Sequence, residues 1–182
     1  MHRPDAHSDL ADRFSPSAKL VEKAGFPLTF ASGFSVAAVH GLPDTGLMSY
    51  GEMESAMRRI TGSLQRIPCI GDGDTGYGNA VNAKRTVRGY AAAGLGGIMI
   101  EDQVAPKRCG HTKDKSVVDR ATALARVRAA VDASREVAAS TNSSPLVIVA
   151  RTDARATHGM DEAIARAQLF RDAGADVCFV EA

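Results

Sequence analysis

The sequence has little net charge, no long apolar run and few cysteines. Its 182 residues include 22 basic and 21 acidic side chains, and this near balance argues against nucleic acid or an anionic membrane as the main partner. No apolar run reaches the roughly 18 residues of a membrane span, and residues 1–15 form a polar lead-in without the apolar core of a secretory signal. The three cysteines show neither a disulfide framework nor zinc-ligand spacing, which favours a reducing compartment. We therefore expect a cytoplasmic protein, with an organelle matrix as the alternative.

Short apolar stretches alternate with amphipathic stretches along the rest of the chain. Five apolar stretches that end in polar residues occur at 27–33, 67–74, 96–103, 145–153 and 175–182. Near-continuous apolar strands of this length are typical of a parallel sheet that is covered on both faces. The segments between them have helical spacing, with Ser49 and Glu52 as a capping box, Asp119 as an N-cap and Gly174 as a helix stop. The pattern predicts one α/β domain over residues 16–182.

A polar side chain stands at the end of each predicted strand. These residues are Ser32, Asp72, Glu101, Arg151 and Glu181. A weak internal repeat supports the pattern, because Ser32, Glu101 and Glu181 each stand seven residues beyond a glycine that ends a helical stretch. Parallel sheets and barrels collect their active-site groups at the C-terminal ends of the strands. The sequence therefore predicts a shared polar site at this edge.

The stretch GDGDTGYGN (71–79) allows several interpretations. Its glycines match the G-x-G-x-x-G pattern of dinucleotide-binding loops, but Asp72 and Asp74 would place negative charge against a pyrophosphate. An EF-hand is excluded because its twelfth position is Ala83 rather than glutamate. We favour a carboxylate site for a hard divalent ion such as Mg²⁺, with Asp72, Asp74 and Glu101 as oxygen donors. The alternative is that the two aspartates only cap the following helix.

Cys109 differs from the other two cysteines in its neighbours. A lone cysteine is usually a small buried hydrophobe, which fits the positions of Cys69 and Cys178 inside strands. Cys109 lies in the segment KRCGH (107–111), where nearby cations favour the thiolate and a glycine-containing loop exposes it. We predict an acid/base or nucleophilic role for Cys109. His111 either orients the substrate and tunes the thiol or is a solvated loop residue.

Arg151, at the end of a predicted strand, suits bidentate binding of a carboxylate. The alternative is a structural ion pair with Glu181 or Glu101. Together, a divalent-ion site, a carboxylate-binding arginine and one thiol suit chemistry on a 2-oxo or 2-hydroxy acid. The metal and hydrogen-bond donors would stabilise an enolate, and the thiol would give or take the proton at carbon.

These motifs also resemble one known family. KRCGH (107–111) looks like the signature of the isocitrate lyase / phosphoenolpyruvate mutase superfamily, and GDGDTGYGNAVN, IEDQ, ARTDA and SGF…GLPDTG are similar to its other blocks in the same order. The resemblance covers nearly the whole chain. It implies a (β/α)8 fold of the TIM-barrel type and a homotetramer for the full-length protein. It also implies Mg²⁺, with Mn²⁺ as the alternative, and a small carboxylic acid as the substrate.

The resemblance assigns a role to each site residue. The metal set is Asp72, which would bind Mg²⁺ directly, and Asp44, Asp74 and Glu101, which would reach it mainly through water. The substrate-binding set is Ser32, Gly33, the Phe34 backbone, Asp72, Gly110, Arg151 and Glu181. The loop that bears Cys109 would close over the substrate, and Cys109 would protonate the released enolate or carbanion. His111, Arg151 and Glu181 complete the catalytic set that the resemblance implies.

The loop motif also favours one branch of the family. Phosphonate-forming mutases typically lack KRCGH, so the resemblance favours carbon–carbon lyase or hydrolase chemistry over phosphoryl transfer. The short insertion between Glu101 and Lys107 resembles the small lyases of 2-methylisocitrate and 2,3-dimethylmalate, the oxaloacetate hydrolases and carboxyvinyl-carboxyphosphonate phosphorylmutase-like proteins. We therefore expect a magnesium-dependent lyase or hydrolase of a small 2-hydroxy or 2-oxo dicarboxylic or tricarboxylic acid. A phosphoenolpyruvate/phosphonopyruvate mutase is the alternative.

Two features depart from the family pattern. Phe30 stands where many relatives carry a tyrosine, so a hydroxyl contact at that position is missing. A complete (β/α)8 barrel takes roughly 250 residues, whereas five strands are predicted here. We therefore expect a barrel truncated after the fifth strand, with exposed edges that a closed barrel would pair. An inactive truncated family member is accordingly a further hypothesis.

Overall fold

Five parallel strands form one sheet in the computed structural model, which describes residues 14–182. The strands are β1 (Thr29–Ala31), β2 (Cys69–Asp72), β3 (Gly97–Glu101), β4 (Val147–Thr152) and β5 (Val177–Val180). They pair in chain order, so strands adjacent in sequence are also adjacent in space. All five predicted strands are confirmed, and their order is that of successive strands in a (β/α) barrel. The predicted polar lead-in, up to residue 13, lies outside the described residues.

Seven helices accompany the strands in this part of the chain. They are α1 (Phe14–Lys23), α2 (Gly33–Val39), α3 (Tyr50–Ser63), α4 (Ala80–Ala92), α5 (Arg120–Thr141), α6 (Ala154–His158) and α7 (Met160–Asp172). The predicted capping box of α3 is confirmed, because the side chains of Ser49 and Glu52 each accept a hydrogen bond from the other's backbone N–H. Asp119 caps α5, and α7 ends just before Gly174, whose φ is +99°. No helix within residues 14–182 is both long enough and apolar enough to cross a membrane.

The hydrophobic core lies where the helices pack on the sheet, and β3 is at its centre. Every residue of β3 is buried. Ile98 and Ile100 of this strand belong to the same buried cluster as Val87 and Tyr90 of α4. Burying one such aliphatic side chain stabilises a fold by about 1.5–3 kcal/mol. The core therefore fixes the end of β3, and with it the backbone around Glu101.

The two outer strands are less covered than the centre. Within the described residues β1 and β5 each pair with one other strand, and Phe30 and Phe179 are 44% and 41% exposed. Cys69 of β2 is buried, as predicted. The prediction of a buried thiol is wrong for Cys178, which is exposed. Its strand lies at the sheet edge, and its Sγ contacts the Ala167 carbonyl of α7 at 3.2 Å instead of entering the core.

Candidate active site

A cavity of about 610 Å³ opens at the C-terminal ends of the strands. The predicted site residues in its lining are Ser32, Phe34, Asp44, Asp72, Cys109, Gly110, His111, Arg151 and Glu181. The other three predicted residues, Gly33, Asp74 and Glu101, adjoin this lining. Phe30 and Phe179 contribute apolar walls to the cavity. Because the strands are parallel and in register, residues far apart in sequence meet here, as Glu101 and Arg151 do in neighbouring strands.

Asp72, Asp74 and Glu101 form a compact group, which we call the carboxylate cluster. The Asp72 oxygens accept hydrogen bonds from the backbone N–H of Gly33 at 2.9 Å and of Asp74 at 3.1 Å. The Glu101 N–H donates to the Asp74 carbonyl at 2.9 Å, and all three carboxylates are buried. A Cβ on Gly33 would lie 3.1 Å from Asp72 Oδ2, so this close approach of the backbone favours glycine. Backbone contacts therefore hold the cluster in place.

The two aspartates do not cap the following helix. The side chain of Asn79 caps α4 and accepts from the N–H groups of Val81 and Asn82 at 2.9 and 3.3 Å. Asn82 completes the capping box by accepting from the Asn79 N–H. The capping interpretation of Asp72 and Asp74 is therefore wrong, and their side chains face other partners.

Lys107, from the segment between β3 and α5, joins the carboxylate cluster. Its Nζ lies 2.5 Å from Asp44 Oδ1 and 2.9 Å from Asp74 Oδ1. Burial acts to lower the pKa of Lys107, but the neighbouring carboxylates, Asp74 first and Asp72 next, outweigh it and raise that pKa. The ammonium group therefore stays charged. Lys107 is not among the site residues predicted from the sequence, although it begins the KRCGH motif.

Burial raises the pKa of two acids in the carboxylate cluster. Burial and the Asp72 carboxylate raise the pKa of Asp74 to about 6, although Lys107 acts to lower it. Burial also raises the pKa of Glu101 well above its ordinary value, although Arg151 acts to lower it. Carboxylates whose ionised form is disfavoured in this way are stabilised by additional positive charge.

The donor chemistry of the cluster fits Mg²⁺. Glu101 Oε1 is buried and accepts no hydrogen bond within residues 14–182. Asp74 Oδ1 is also buried, and it is paired with the Lys107 ammonium group at 2.9 Å. No three His, Cys, Asp or Glu side chains in that range already have the arrangement of a complete metal site. However, Mg²⁺ is usually bound by one or two carboxylates, with water and substrate oxygens as its other ligands. The buried Glu101 oxygen without a donor, next to the carboxylates of Asp72 and Asp74, therefore suits a hard divalent ion at this point.

Arg151 is paired with three carboxylates. Its Nε and Nη2 donate to the two oxygens of Asp153, each at 2.9 Å. Nη2 also lies 3.2 Å from Glu181 Oε2, and Nε lies 3.5 Å from Glu101 Oε2. Both ion pairs considered from the sequence are thus present, and Asp153 is an unexpected third partner. The hydrogen bonds of the guanidinium group in the described part of the chain use Nε and Nη2. Arg151 also lines the cavity.

Residues 104–118 form the loop that carries Cys109, which we call the Cys109 loop. Its base is closed by an antiparallel bridge between Gln103 and Val117. The Gln103 side-chain amide also donates to the Arg108 carbonyl at 2.9 Å and accepts from the Arg108 N–H at 3.0 Å. Cys109 is half-buried and lines the cavity. The loop therefore places the thiol at the strand ends, beside the other residues that line the cavity.

The middle of the Cys109 loop packs closely against Arg151. A Cβ on Gly110 would collide with Nη2 of Arg151 and lie 2.9 Å from Glu181 Oε2. His111 also lines the cavity, but its side chain is exposed. Both interpretations of His111, as a functional residue and as a solvated loop residue, stay predictions.

The chain matches the family described as phosphoenolpyruvate phosphomutase over residues 6–182. It therefore belongs to the phosphoenolpyruvate mutase/isocitrate lyase superfamily. Among its relatives, it is 46% identical over 167 residues to the petal death protein of Dianthus caryophyllus, covering 91% of this chain and 50% of that protein. It is 40% identical over 180 residues to the 2,3-dimethylmalate lyase of Eubacterium barkeri, covering 98% and 57%. The chain thus spans about half the length of the curated relatives it matches.

Solved structures confirm the α/β fold of the TIM-barrel type. Oxaloacetate acetylhydrolase in complex with 3,3-difluorooxalacetate superposes with a TM-score of 0.86 at 37% identity, over 92% of this chain and 55% of that chain. Phosphonopyruvate hydrolase in complex with oxalate and Mg²⁺ superposes with a TM-score of 0.78 at 33% identity, over 91% and 54%. The five strands of this chain thus correspond to part of the barrel in those enzymes.

Proposed function

We propose that the protein acts as a magnesium-dependent carbon–carbon lyase or hydrolase on a small 2-hydroxy or 2-oxo dicarboxylic or tricarboxylic acid. The observation that carries this proposal is one cavity in which Asp72, Arg151 and Cys109 meet. The relatives named 2,3-dimethylmalate lyase and oxaloacetate acetylhydrolase support this class of substrate. Each part of the cavity has its own chemical task.

The carboxylate cluster and Asp44 would hold Mg²⁺, or Mn²⁺ in its place. Asp72 would bind the ion directly, and the other acids would reach it mainly through water. When bound, the ion supplies positive charge that stabilises carboxylate and enolate oxygens. The phosphonopyruvate hydrolase structure with Mg²⁺ and oxalate supports this choice of ion. Lys107 adds a fixed positive charge to the same acids.

The end of β1 and Arg151 would bind the substrate. The Ser32 side chain makes no capping hydrogen bond to α2, so its hydroxyl is available to a ligand. With Gly33 and the Phe34 backbone it would hold the 2-oxo acid. Arg151 would bind a carboxylate of the substrate, and Glu181, which lies 3.2 Å from Nη2, would help to orient the guanidinium group.

Cys109 would supply the proton that completes the reaction. The substrate hydroxyl would give its proton to a carboxylate of the cavity and become a carbonyl. The carbon–carbon bond then breaks and leaves its electron pair on the departing carbon, as an enolate or carbanion. The thiol proton then moves to that carbon and leaves a thiolate on Cys109. Gly110 and His111 would line the side of the cavity from which the thiol approaches.

The test is product release from a panel of 2-methylisocitrate, 2,3-dimethylmalate and oxaloacetate. With Mg²⁺ the purified chain is expected to release pyruvate from the first two substrates or oxalate from the third, and chelation with EDTA is expected to stop release. Cys109→Ser is expected to abolish turnover, whereas Cys178→Ser, outside the cavity lining, keeps it. Turnover that survives Cys109→Ser would contradict the role of this thiol. Absence of turnover with every substrate would favour an inactive family member that binds metal or full-length subunits.

A phosphonate-forming mutase is the second candidate. It is favoured by the family description as phosphoenolpyruvate phosphomutase and by the likeness to a phosphonopyruvate hydrolase. Phosphorus NMR distinguishes the two, because conversion of phosphoenolpyruvate to phosphonopyruvate produces a carbon–phosphorus bond. The KRCGH loop argues against this candidate, and we expect no such conversion.

The assembly and the cellular location are proposals of the same kind. A homotetramer is proposed for the full-length protein from the family resemblance, and light scattering would test it. A cytoplasmic location, with an organelle matrix as the alternative, is proposed from the sparse cysteines. Neither nucleic acid nor a membrane is proposed as a partner.

A further inference from the structure

Lys115 lies near the end of the Cys109 loop, and its ammonium group is buried. Only 3% of the side chain is exposed. Its Nζ donates to the Gly110 carbonyl at 2.6 Å and to the Ala182 carbonyl at 3.3 Å. It also forms an ion pair with Asp153 Oδ1 at 2.9 Å. One ammonium group thus connects the residue next to Cys109 with the segments that follow β4 and β5.

Asp153 is the shared anchor of this arrangement. Its Oδ1 lies 2.9 Å from Lys115 Nζ and also accepts from Arg151 Nη2 at 2.9 Å. Its side chain is completely buried. Its backbone N–H donates to Asp102 Oδ1 at 3.0 Å. Because Asp102 also pairs with the buried Arg166 at 3.0 Å, Asp153 is tied to the interior of the fold.

The residues between Gly110 and Lys115 have few other attachments. His111, Thr112, Lys113 and Asp114 are all exposed. Within the described part of the chain, the hydrogen bonds of Thr112 run back to the Cys109 carbonyl and stay inside the loop. Lys107 and Gln103 hold the start of the loop, and Lys115 joins the residues after Cys109 to the segment that follows β4.

The burial of the Lys115 ammonium group explains why it holds its two partners together. A buried ammonium group is stable only when charged or carbonyl partners replace its water. Here the partners are a carboxylate that follows β4 and the Gly110 carbonyl of the loop, so the ammonium group keeps both near each other. The glycine at position 110 allows the loop to lie against Arg151 without a collision.

We propose that Lys115 is a positioning residue, which holds the Cys109 loop against the cavity by linking the Gly110 carbonyl to Asp153. Through the same carboxylate, Asp153 orients Arg151. One buried acid thus sets the position of both the thiol and the carboxylate-binding arginine. The assignment rests on the proposed function for its catalytic meaning, but the position of the thiol can be measured without turnover.

The experiment measures how fast N-ethylmaleimide modifies each cysteine of the full chain, by peptide mass spectrometry. The three thiols report different events. The rate at Cys109 measures how accessible the loop makes its thiol, and the rate at buried Cys69 measures opening of the core. The rate at exposed Cys178 controls for the reactivity of the reagent. The test variant is Lys115→Met, which keeps the apolar stem and removes the charge. The matched control is Lys113→Met, the same change at an exposed lysine of the same loop.

Lys115→Met is expected to speed modification of Cys109 by about tenfold, the size expected for loss of hydrogen bonds to a charged group. The rates at Cys69 and Cys178 are expected to stay within about twofold of the original. Lys113→Met is expected to leave all three rates unchanged, and Asp153→Asn to reproduce the effect of Lys115→Met. If the chain turns over substrate, Lys115→Met should lower kcat more than it raises KM.

An unchanged Cys109 rate in Lys115→Met would overturn the proposal. So would an equal rise at Cys69, because that shows general loss of structure instead of release of one loop. If Lys115→Met does not fold, Lys115→Gln and Lys113→Gln give the same comparison, since the amide can still donate to Gly110 but cannot pair with Asp153 as a cation. Failure of the proposed lyase reaction would not alter these rates, so the two proposals fail separately.

Discussion

Strands β3 and β5 have nearly the same sequence pattern and opposite environments. Each is an apolar run that ends in a glutamate seven residues after a glycine. Every residue of β3 is buried, whereas three of the four residues of β5 are exposed. β3 has a strand on both sides, but β5 pairs only with β4 within residues 14–182. The apolar pattern therefore specifies a strand. The number of neighbouring strands decides how much of it is buried, and so how much it contributes to the stability of the fold.

The same contrast holds for the two glutamates at the strand ends. Glu101 is buried in the carboxylate cluster, and its Oε1 accepts no hydrogen bond in the described part of the chain. Glu181 uses Oε2 to pair with Arg151 and Oε1 to accept from the Ala182 N–H. Both contact the same guanidinium group, but only Glu101 also borders Asp74 through its backbone. We therefore expect Glu101 to contribute to Mg²⁺ binding and Glu181 to orient Arg151.

The largest loss of stability is expected from a substitution at the centre of the sheet. Ile98→Ala removes a side chain that is completely buried, so it should lower the free energy of unfolding by about 2–5 kcal/mol through lost burial and a cavity. Urea denaturation followed by circular dichroism measures this loss. A loss below about 1 kcal/mol would show that β3 is not the centre of the core.

The second largest difference is expected between the maleimide reactivity of a thiol near the centre of the sheet and that of a thiol at its edge. Cys69 of β2 is 1% exposed, and burial raises its pKa to about 11, so little thiolate is present at pH 8. Cys178 of β5 is exposed. Maleimide at pH 8 should modify Cys178 more than about 100-fold faster than Cys69, because Cys69 must wait for an opening of the core. Equal rates would remove the contrast between centre and edge.

The two glutamates should differ in their effect on Mg²⁺. Glu101→Gln is expected to weaken Mg²⁺ binding by about tenfold, the lower end of the range for changes to groups that support a metal site. Glu181→Gln, the matched change at the end of β5, should leave the affinity within about twofold. Isothermal titration calorimetry measures both constants. Equal effects of the two changes would show that the ion does not distinguish these strand ends.

The smallest loss of stability is expected from a substitution in the edge strand β5. Val177 of β5 is 47% exposed, so Val177→Ala loses little buried area and should cost less than about 1 kcal/mol. The same urea experiment as for Ile98→Ala gives the comparison. A cost as large as that of Ile98→Ala would mean that β5 is covered by a partner under the conditions of the measurement.

Much of this fold could be predicted from local sequence patterns. The capping box at Ser49 and Glu52 and the cap at Asp119 are local signals, and both are confirmed. The strand ends are also predictable from the sequence, because the apolar runs stop at polar residues. The burial of Cys178 was wrongly predicted, because an apolar run does not reveal whether its strand has one neighbour or two.

The site could be predicted only in part. Residues at strand ends, such as Asp72 and Arg151, are predictable because the C-terminal ends of parallel strands lie at the same edge of the sheet. Lys107, Lys115 and Asp153 were not identified as site residues, since their partners depend on how the Cys109 loop folds back across the sheet. A lysine in a loop usually lies in water, and only the folded structure shows that Lys107 and Lys115 are buried against carboxylates.

The most direct test of the central claim is calorimetric titration of oxalate into the protein with and without Mg²⁺. Oxalate resembles the carboxylate end of the proposed substrates, and its binding does not depend on turnover. We predict that oxalate binds when Mg²⁺ is present, that binding is lost with EDTA, and that Asp72→Asn abolishes it. Oxalate binding that is equally strong without Mg²⁺, or unchanged in Asp72→Asn, would contradict a magnesium-dependent site at these strand ends.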